Sequence, residues 1–285
     1  MLRKISILLE MIKFEHTVFA LPFALMGSFL AGRGVPGVWT FVWVVLAMVG
    51  ARTAAMGFNR IADRKFDARN PRTASRALPA GLVGLGEAWL MVALASGLFF
   101  FACAMLNRLT LLISPFALAI CLGYSLTKRF TWLCHAVLGV ALAFSPLGGY
   151  VAVKGSFAGF PFVLSAGVLL WVAGFDMVYA CLDADFDQAE GLQSMPARFG
   201  RRNAFRLAVA LHAAAFVLFG LTGLQARLNG FYHAGLAVTA LALFYQHLIV
   251  NPKDLSRIRM SFFTLNGLIS LTLFAATWLS LVTSG

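Results

Sequence analysis

Nine apolar runs, each about the 20 residues a helix needs to cross a bilayer, take up nearly all of this chain. They are Phe14 to Ala31, Val38 to Met56, Ala88 to Leu106, Leu109 to Leu126, Leu133 to Val153, Phe160 to Ala180, Ala204 to Leu224, Phe231 to Val250 and Phe262 to Val282. In hydrocarbon a backbone must satisfy its own hydrogen bonds, so runs of this length fold as helices. The expectation is an all-α, polytopic membrane bundle of nine transmembrane helices, a single membrane-embedded domain over residues 1–285. Only 12% of the residues are charged, well below the roughly 25% of a soluble domain. Any chemistry therefore lies in the membrane or at its edge.

The net charge of +12 does not indicate nucleic acid, because the basic residues follow topology. With nine spans, the N-terminus and the connections after spans two, four, six and eight share one side, and 18 of the 23 Lys and Arg residues fall there. The other side carries only Arg33, Arg108, Lys154 and Arg227. The positive-inside bias makes the basic side cytoplasmic, as expected for a multi-pass protein of the inner membrane with its C-terminus outside. Residues 1–13 place Leu2, Ile5, Leu9 and Ile12 on one face, as an interfacial helix does. Charges interrupt any signal-peptide core before Phe14. Cys103, Cys121, Cys134, Cys181 and the five histidines lack metal-type spacing and read as buried or scattered. No obligate protein partner is evident.

The 11 acidic residues are the most informative. Two clusters stand at the cytoplasmic ends of spans two and six: Asn59 with Asp63-Arg-Lys-Phe-Asp67, and Asp176, Tyr179 and Asp183-Ala-Asp-Phe-Asp187. Both clusters read Asp-x-x-Phe-Asp, both are followed by a proline (Pro79, Pro196), and an offset of 120 residues relates them, which marks two pseudo-repeats. Residues four apart share a helical face, so each pair aims two carboxylates at one point. Their repulsion calls for a cation. Oxygen ligands without Cys or His suit Mg²⁺, Mn²⁺ or Ca²⁺ rather than Zn²⁺, and Mg²⁺ commonly completes its shell with substrate phosphates. Arg72, Arg76, Lys128, Arg129 and Arg198 stand near enough in sequence to meet a diphosphate.

Arg52 and Asp176 lie deeper, each seven residues before its cluster, about two helical turns. An ionisable group inside a span needs a partner or a function. Either the two tie spans two and six together as an ion pair, or they line a cavity and orient a polar aromatic substrate.

Asn59-x-x-x-Asp63-x-x-x-Asp67 followed by Arg72-Thr-Ala-Ser-Arg-Ala-Leu-Pro79 resembles the first signature of the UbiA-type intramembrane aromatic prenyltransferases. Asp176-x-x-Tyr179-Ala-x-x-Asp183-x-x-x-Asp187 resembles the second, and Tyr124-Ser-Leu-Thr-Lys128 matches the Tyr-x-x-x-Lys element between them. The resemblance implies a central cavity with both Asp motifs at its cytoplasmic mouth. It implies that Asn59, Asp63, Asp67, Asp183 and Asp187 hold Mg²⁺ and a polyprenyl diphosphate, with Lys128 and Arg72 on phosphate oxygens. Arg52 and Asp176 then stand by a small aromatic acid, Tyr124 and Tyr179 line the reaction centre, and Asp176 or a phosphate oxygen takes the ring proton.

Arg72-Thr-Ala-x-Arg-x-Leu-Pro79 and the run Glu190 to Gly200 resemble the 4-hydroxybenzoate polyprenyltransferase-like branch of quinone biosynthesis, some members of which are thought to use 1,4-dihydroxy-6-naphthoate in a menaquinone route. Both acceptors carry a carboxylate for Arg52. A cation-coupled transporter built on an internal repeat is the alternative from another class, but its ion sites would lie near the midplane, not among basic residues at helix ends.

Overall fold

The computed structural model describes residues 7–8, 10–11, 17–157 and 159–284. The interfacial reading of residues 1–13 lies outside these for the most part. Helices follow one another as α1 (Thr17–Gly32), α2 (Val38–Arg69), α3 (Leu85–Leu106), α4 (Arg108–Thr127), α5 (Cys134–Lys154), α6 (Gly159–Ala180), the short α7 (Ala184–Ala189) and α8 (Met195–Phe199), α9 (Arg201–Ala226), α10 (Gly230–Ile249) and α11 (Ile258–Thr283). The described residues form no strand, only an isolated bridge between Asn251 and Asp254. The all-helical class is as expected.

The count of spans differs. Seven of the described helices are long and apolar enough to cross a membrane, not nine. α1 is described over only 16 residues. α10 has 20, but Tyr232, His233, Gln246 and His247 lower its apolarity.

α6 lies at the centre. It packs along α5 and α9, while α1 lies along α5 and α2 along α3. Trp171 of α6 is fully buried between Phe23 of α1, 5.3 Å away, and Phe175, 4.9 Å away. The α1–α5 crossing is close because of two glycines. A Cβ on Gly27 would strike the Pro146 carbonyl, and one on Gly149 the Ala24 carbonyl. Small residues admit such backbone contact, which drives helix association in lipid. Ser28 Oγ donates across it to the Gly149 carbonyl at 3.0 Å.

α2 positions the site. Its 32 residues span about 48 Å at 1.5 Å per residue, more than the roughly 30 Å of hydrocarbon. The apolar run stops at Met56, yet Arg, Ala and Lys keep the helix going until Asn70-Pro71. A residue before proline leaves the helical region, and Asn70 is extended at φ −86°, ψ 117°. The last turns of α2, with Asp63 and Asp67, therefore project past the apolar layer.

Candidate active site

Two cavities lie end to end inside the bundle. A polar one of about 260 Å³ is built by the C-terminal ends of α2, α4 and α6, the start of α5 and the segment around α7. An apolar one of about 220 Å³ continues from it between α1, α2, α4 and α5. Met56, Tyr124 and Leu138 line both and form the seam. The expected site residues line the polar cavity except Arg52, which lines the apolar one, and Arg129 and Arg198, which line neither; Tyr124 belongs to both.

The polar cavity is a set of acid–base pairs. Lys128 Nζ donates to Asp63 Oδ2 at 2.8 Å, and Asn59 Nδ2 bridges the same oxygen to Ser125 Oγ, both at 3.3 Å. Arg76 Nη1 donates to Asp67 Oδ1 at 2.7 Å. Arg72 grips Asp183 with two nitrogens, Nε to Oδ1 at 2.8 Å and Nη2 to Oδ2, the forked geometry that favours arginine on carboxylates. Its Nη1 reaches the Tyr179 hydroxyl at 3.4 Å, and the guanidinium carbon stands 5.6 Å from the Tyr179 ring centre. Burial works against the Arg72 charge, but the bond to Asp183 outweighs it and holds the guanidinium above its ordinary value. Burial pushes the Asp187 carboxyl up, against the pull of Lys128.

The two Asp pairs are built differently. Asp63 and Asp67 sit on one face of α2, as the spacing implies. α6 instead ends at Ala180, where the N–H groups of Cys181, Leu182 and Asp183 each bond three residues back. This tightening swings Asp183 out to precede α7, whose first turn carries Asp187. Asp183 thereby meets the segment after α2.

Asn70 makes that meeting possible. Its Oδ1 accepts the Arg72 N–H and its Nδ2 donates to Asp183 Oδ1, both at 2.9 Å. The sequence reading passed over Asn70, although an Asn-Pro pair after an acidic helix end is a turn signal. It also passed over His135, which is 3% exposed and bonds Asp176 through Nδ1 at 2.6 Å. Asp176 thus engages α5, while Arg52 lies beyond the seam. The two line different cavities, and Tyr124 lines both.

On the aromatic side, α11 contains a π turn at Ser261–Leu265. The extra residue turns both Phe262 and Phe263 inward, and Phe262 packs on Tyr179 with ring centres 4.2 Å apart. Such π turns often mark functional places.

Among the described residues, no three His, Cys, Asp or Glu side chains converge as a ready metal site. Asp63, Asp67 and Asp183 are instead each paired with a basic side chain. Asp63 Oδ1 and Asp67 Oδ2 are nevertheless buried without a hydrogen bond, facing Arg129 at 3.9 Å and Arg60 at 3.7 Å.

The model of the UbiA prenyltransferase family matches residues 20–268 of the chain. The chain belongs to this family. As a UbiA prenyltransferase it is an integral membrane enzyme rather than a transporter. It is 33% identical over 259 residues to the 4-hydroxybenzoate octaprenyltransferase of Sodalis glossinidius, covering 90% of this chain and 88% of that one. The enzyme of the same name from Nitrosospira multiformis is 33% identical over 251 residues, 88% of this chain and 86% of that one. An apo structure of a UbiA homolog from Aeropyrum pernix superposes with a TM-score of 0.85 at 39% identity, covering 92% of this UbiA prenyltransferase and 96% of its own chain. A UbiA homolog from Archaeoglobus fulgidus bound to GPP and Mg²⁺ shares the fold at TM-score 0.72 and 21% identity, over 97% and 99% of the two chains.

Proposed function

We propose that this enzyme transfers a polyprenyl group from its diphosphate to the ring of an aromatic acid, with 4-hydroxybenzoate as the acceptor, at the cytoplasmic face of the inner membrane. What carries this reading is the junction of the two cavities. A charge-lined mouth suited to a diphosphate meets, at Met56, Tyr124 and Leu138, a mostly apolar chamber suited to a chain. The Sodalis and Nitrosospira names support the acceptor, and the GPP and Mg²⁺ bound to the Archaeoglobus protein support the donor.

The residues fit a divalent cation. Every donor is a hard oxygen, and two of those oxygens are buried without a hydrogen bond. Asp63, Asp67, Asp183 and Asp187, with Asn59, would hold Mg²⁺, which when bound neutralises diphosphate charge and acts as a Lewis acid. Lys128 and Arg72 trade their carboxylates for phosphate oxygens and stabilise the charge that develops on the leaving group. As the allylic C1–O bond breaks, its electron pair leaves with the diphosphate. Tyr124 and Tyr179 offer aromatic faces to the allylic cation. The ring carbon beside the phenol forms the new bond to C1, and its proton passes to Asp176. Arg52 pairs with the acceptor carboxylate.

Membranes containing the protein, given radiolabelled prenyl diphosphate, Mg²⁺ and either 4-hydroxybenzoate or 1,4-dihydroxy-6-naphthoate, test the reading. A lipid-soluble product from 4-hydroxybenzoate is expected. Product from the naphthoate alone would reassign the acceptor, and none from either would end the proposal. Chelation with EDTA is expected to bring the rate to background and Mg²⁺ to restore it; a rate insensitive to EDTA removes the metal. Arg52→Ala is expected to raise KM for the aromatic acid by about 10-fold or more, the scale of a lost charged hydrogen bond, and to spare KM for the prenyl diphosphate. Equal rises in both would move Arg52 to the phosphates.

A further inference from the structure

We propose that His135 is a positioning residue that orients Asp176 toward the acceptor and ties it to the segment following the second acidic pair, an inference that rests on the reading just given. His135 opens α5 and is buried between two partners. The backbone N–H of Met195 donates to its Nε2 at 3.2 Å. A backbone N–H can only donate, so Nε2 carries a lone pair and the ring proton sits on Nδ1. That proton points at Asp176 Oδ2, 2.6 Å away. The tautomer is thus fixed by a peptide group 60 residues along the chain, and the fixed tautomer holds one carboxylate oxygen of Asp176. Such an orienting bond decides what its partner can do.

Met195 does not stand alone. It ends a segment that begins at Asp187, whose carbonyl accepts the Leu192 N–H at 2.8 Å. Gln193 N–H of the same segment bonds the carbonyl of Lys128 at 2.6 Å. The segment therefore touches both ends of the diphosphate machinery, Asp187 and Lys128, and then His135. A shift of that segment reaches Asp176 through a single imidazole. His135 thereby links the side of the cavity that holds the leaving group to the carboxylate that takes the proton.

Two substitutions separate the bonds. Glutamine keeps a polar atom near the Nε2 position, where it can accept from Met195, but places no N–H at the Nδ1 position. Asparagine does the reverse. The full-length protein in lipid nanodiscs is assayed with geranyl diphosphate, Mg²⁺ and 4-hydroxybenzoate. His135→Gln is expected to lower kcat by about 10- to 100-fold, the scale on which orienting partners act. KM for geranyl diphosphate is expected to stay within about twofold, as for a group acting only on the chemical step. His135→Asn, which keeps the bond to Asp176, is expected to lose less. A wild-type kcat for His135→Gln, or equal losses in both variants with a raised KM for geranyl diphosphate, would overturn the inference. ¹⁵N NMR of histidine-labelled protein needs no turnover. A neutral Nδ1–H signal that disappears in His135→Asn is expected, and an Nε2–H tautomer overturns the assignment. Wild-type protein that makes no prenylated acid sinks the acceptor reading, while the tautomer still decides the role of His135.

Discussion

Asp183→Ala is expected to lower the rate of prenyl transfer by about 10³-fold, toward the upper end of what one preorganised electrostatic group supplies. Asp183 holds the site together from both sides. It accepts Asn70 Nδ2 and both nitrogens of the Arg72 fork, so its loss removes an oxygen ligand and also frees Arg72 from the position in which it faces Tyr179. Asp183→Asn keeps the shape but removes the charge, and a similar loss is expected. The check is product formation by reconstituted protein whose elution profile and apparent Tm match wild type. A rate within about tenfold of wild type would mean that Asp183 stabilises no charge in the reaction.

Gly27→Ala is expected to be among the most damaging single methyls in the bundle. Its Cβ would meet the backbone carbonyl of Pro146, which cannot rotate aside as a side chain can. Overpacking of this kind costs about 3 kcal/mol. At roughly 2–4 °C per kcal/mol for a chain near this size, the apparent Tm falls by about 6–12 °C. Gly97→Ala on α3 is the control, because a Cβ there meets nothing within 4 Å; it is expected to leave Tm unchanged. Thermal unfolding in detergent measures both. Equal behaviour of the two variants would mean that α1 and α5 do not rely on this contact.

The acidic clusters were legible because acids are so scarce in this sequence that two matched Asp-x-x-Phe-Asp runs stand out, and the structure brings both to one cavity. Their pairing was not legible. Arg72 and Asp183 are 111 residues apart, and His135 and Asp176 are 41 apart. Such bonds depend on how α2, α5 and α6 pack, and periodicity within one helix says nothing about that. The seven-residue spacing from Arg52 to Asn59 correctly places Arg52 deeper along α2. It could not show that Arg52 and Asp176 line different cavities, with Tyr124 of α4 lining both. The two apolar runs outside the seven, Phe14 to Ala31 and Phe231 to Val250, are occupied by helices as well, α1 and α10. α10 carries polar side chains among its apolar ones, with His247 2.9 Å from His212, and apolarity alone undervalues such a helix.

In the proposed reaction, the seam at Met56, Tyr124 and Leu138 also bears on how many donors are wasted. On one side of it the cavity is lined by ions, and on the other mostly by apolar side chains. An allylic cation formed at that boundary can be captured by the aromatic ring or by water, and capture by water yields a prenyl alcohol. In the proposed reaction, three side chains at that junction therefore bear on the yield of each ionisation, separately from how fast ionisation occurs.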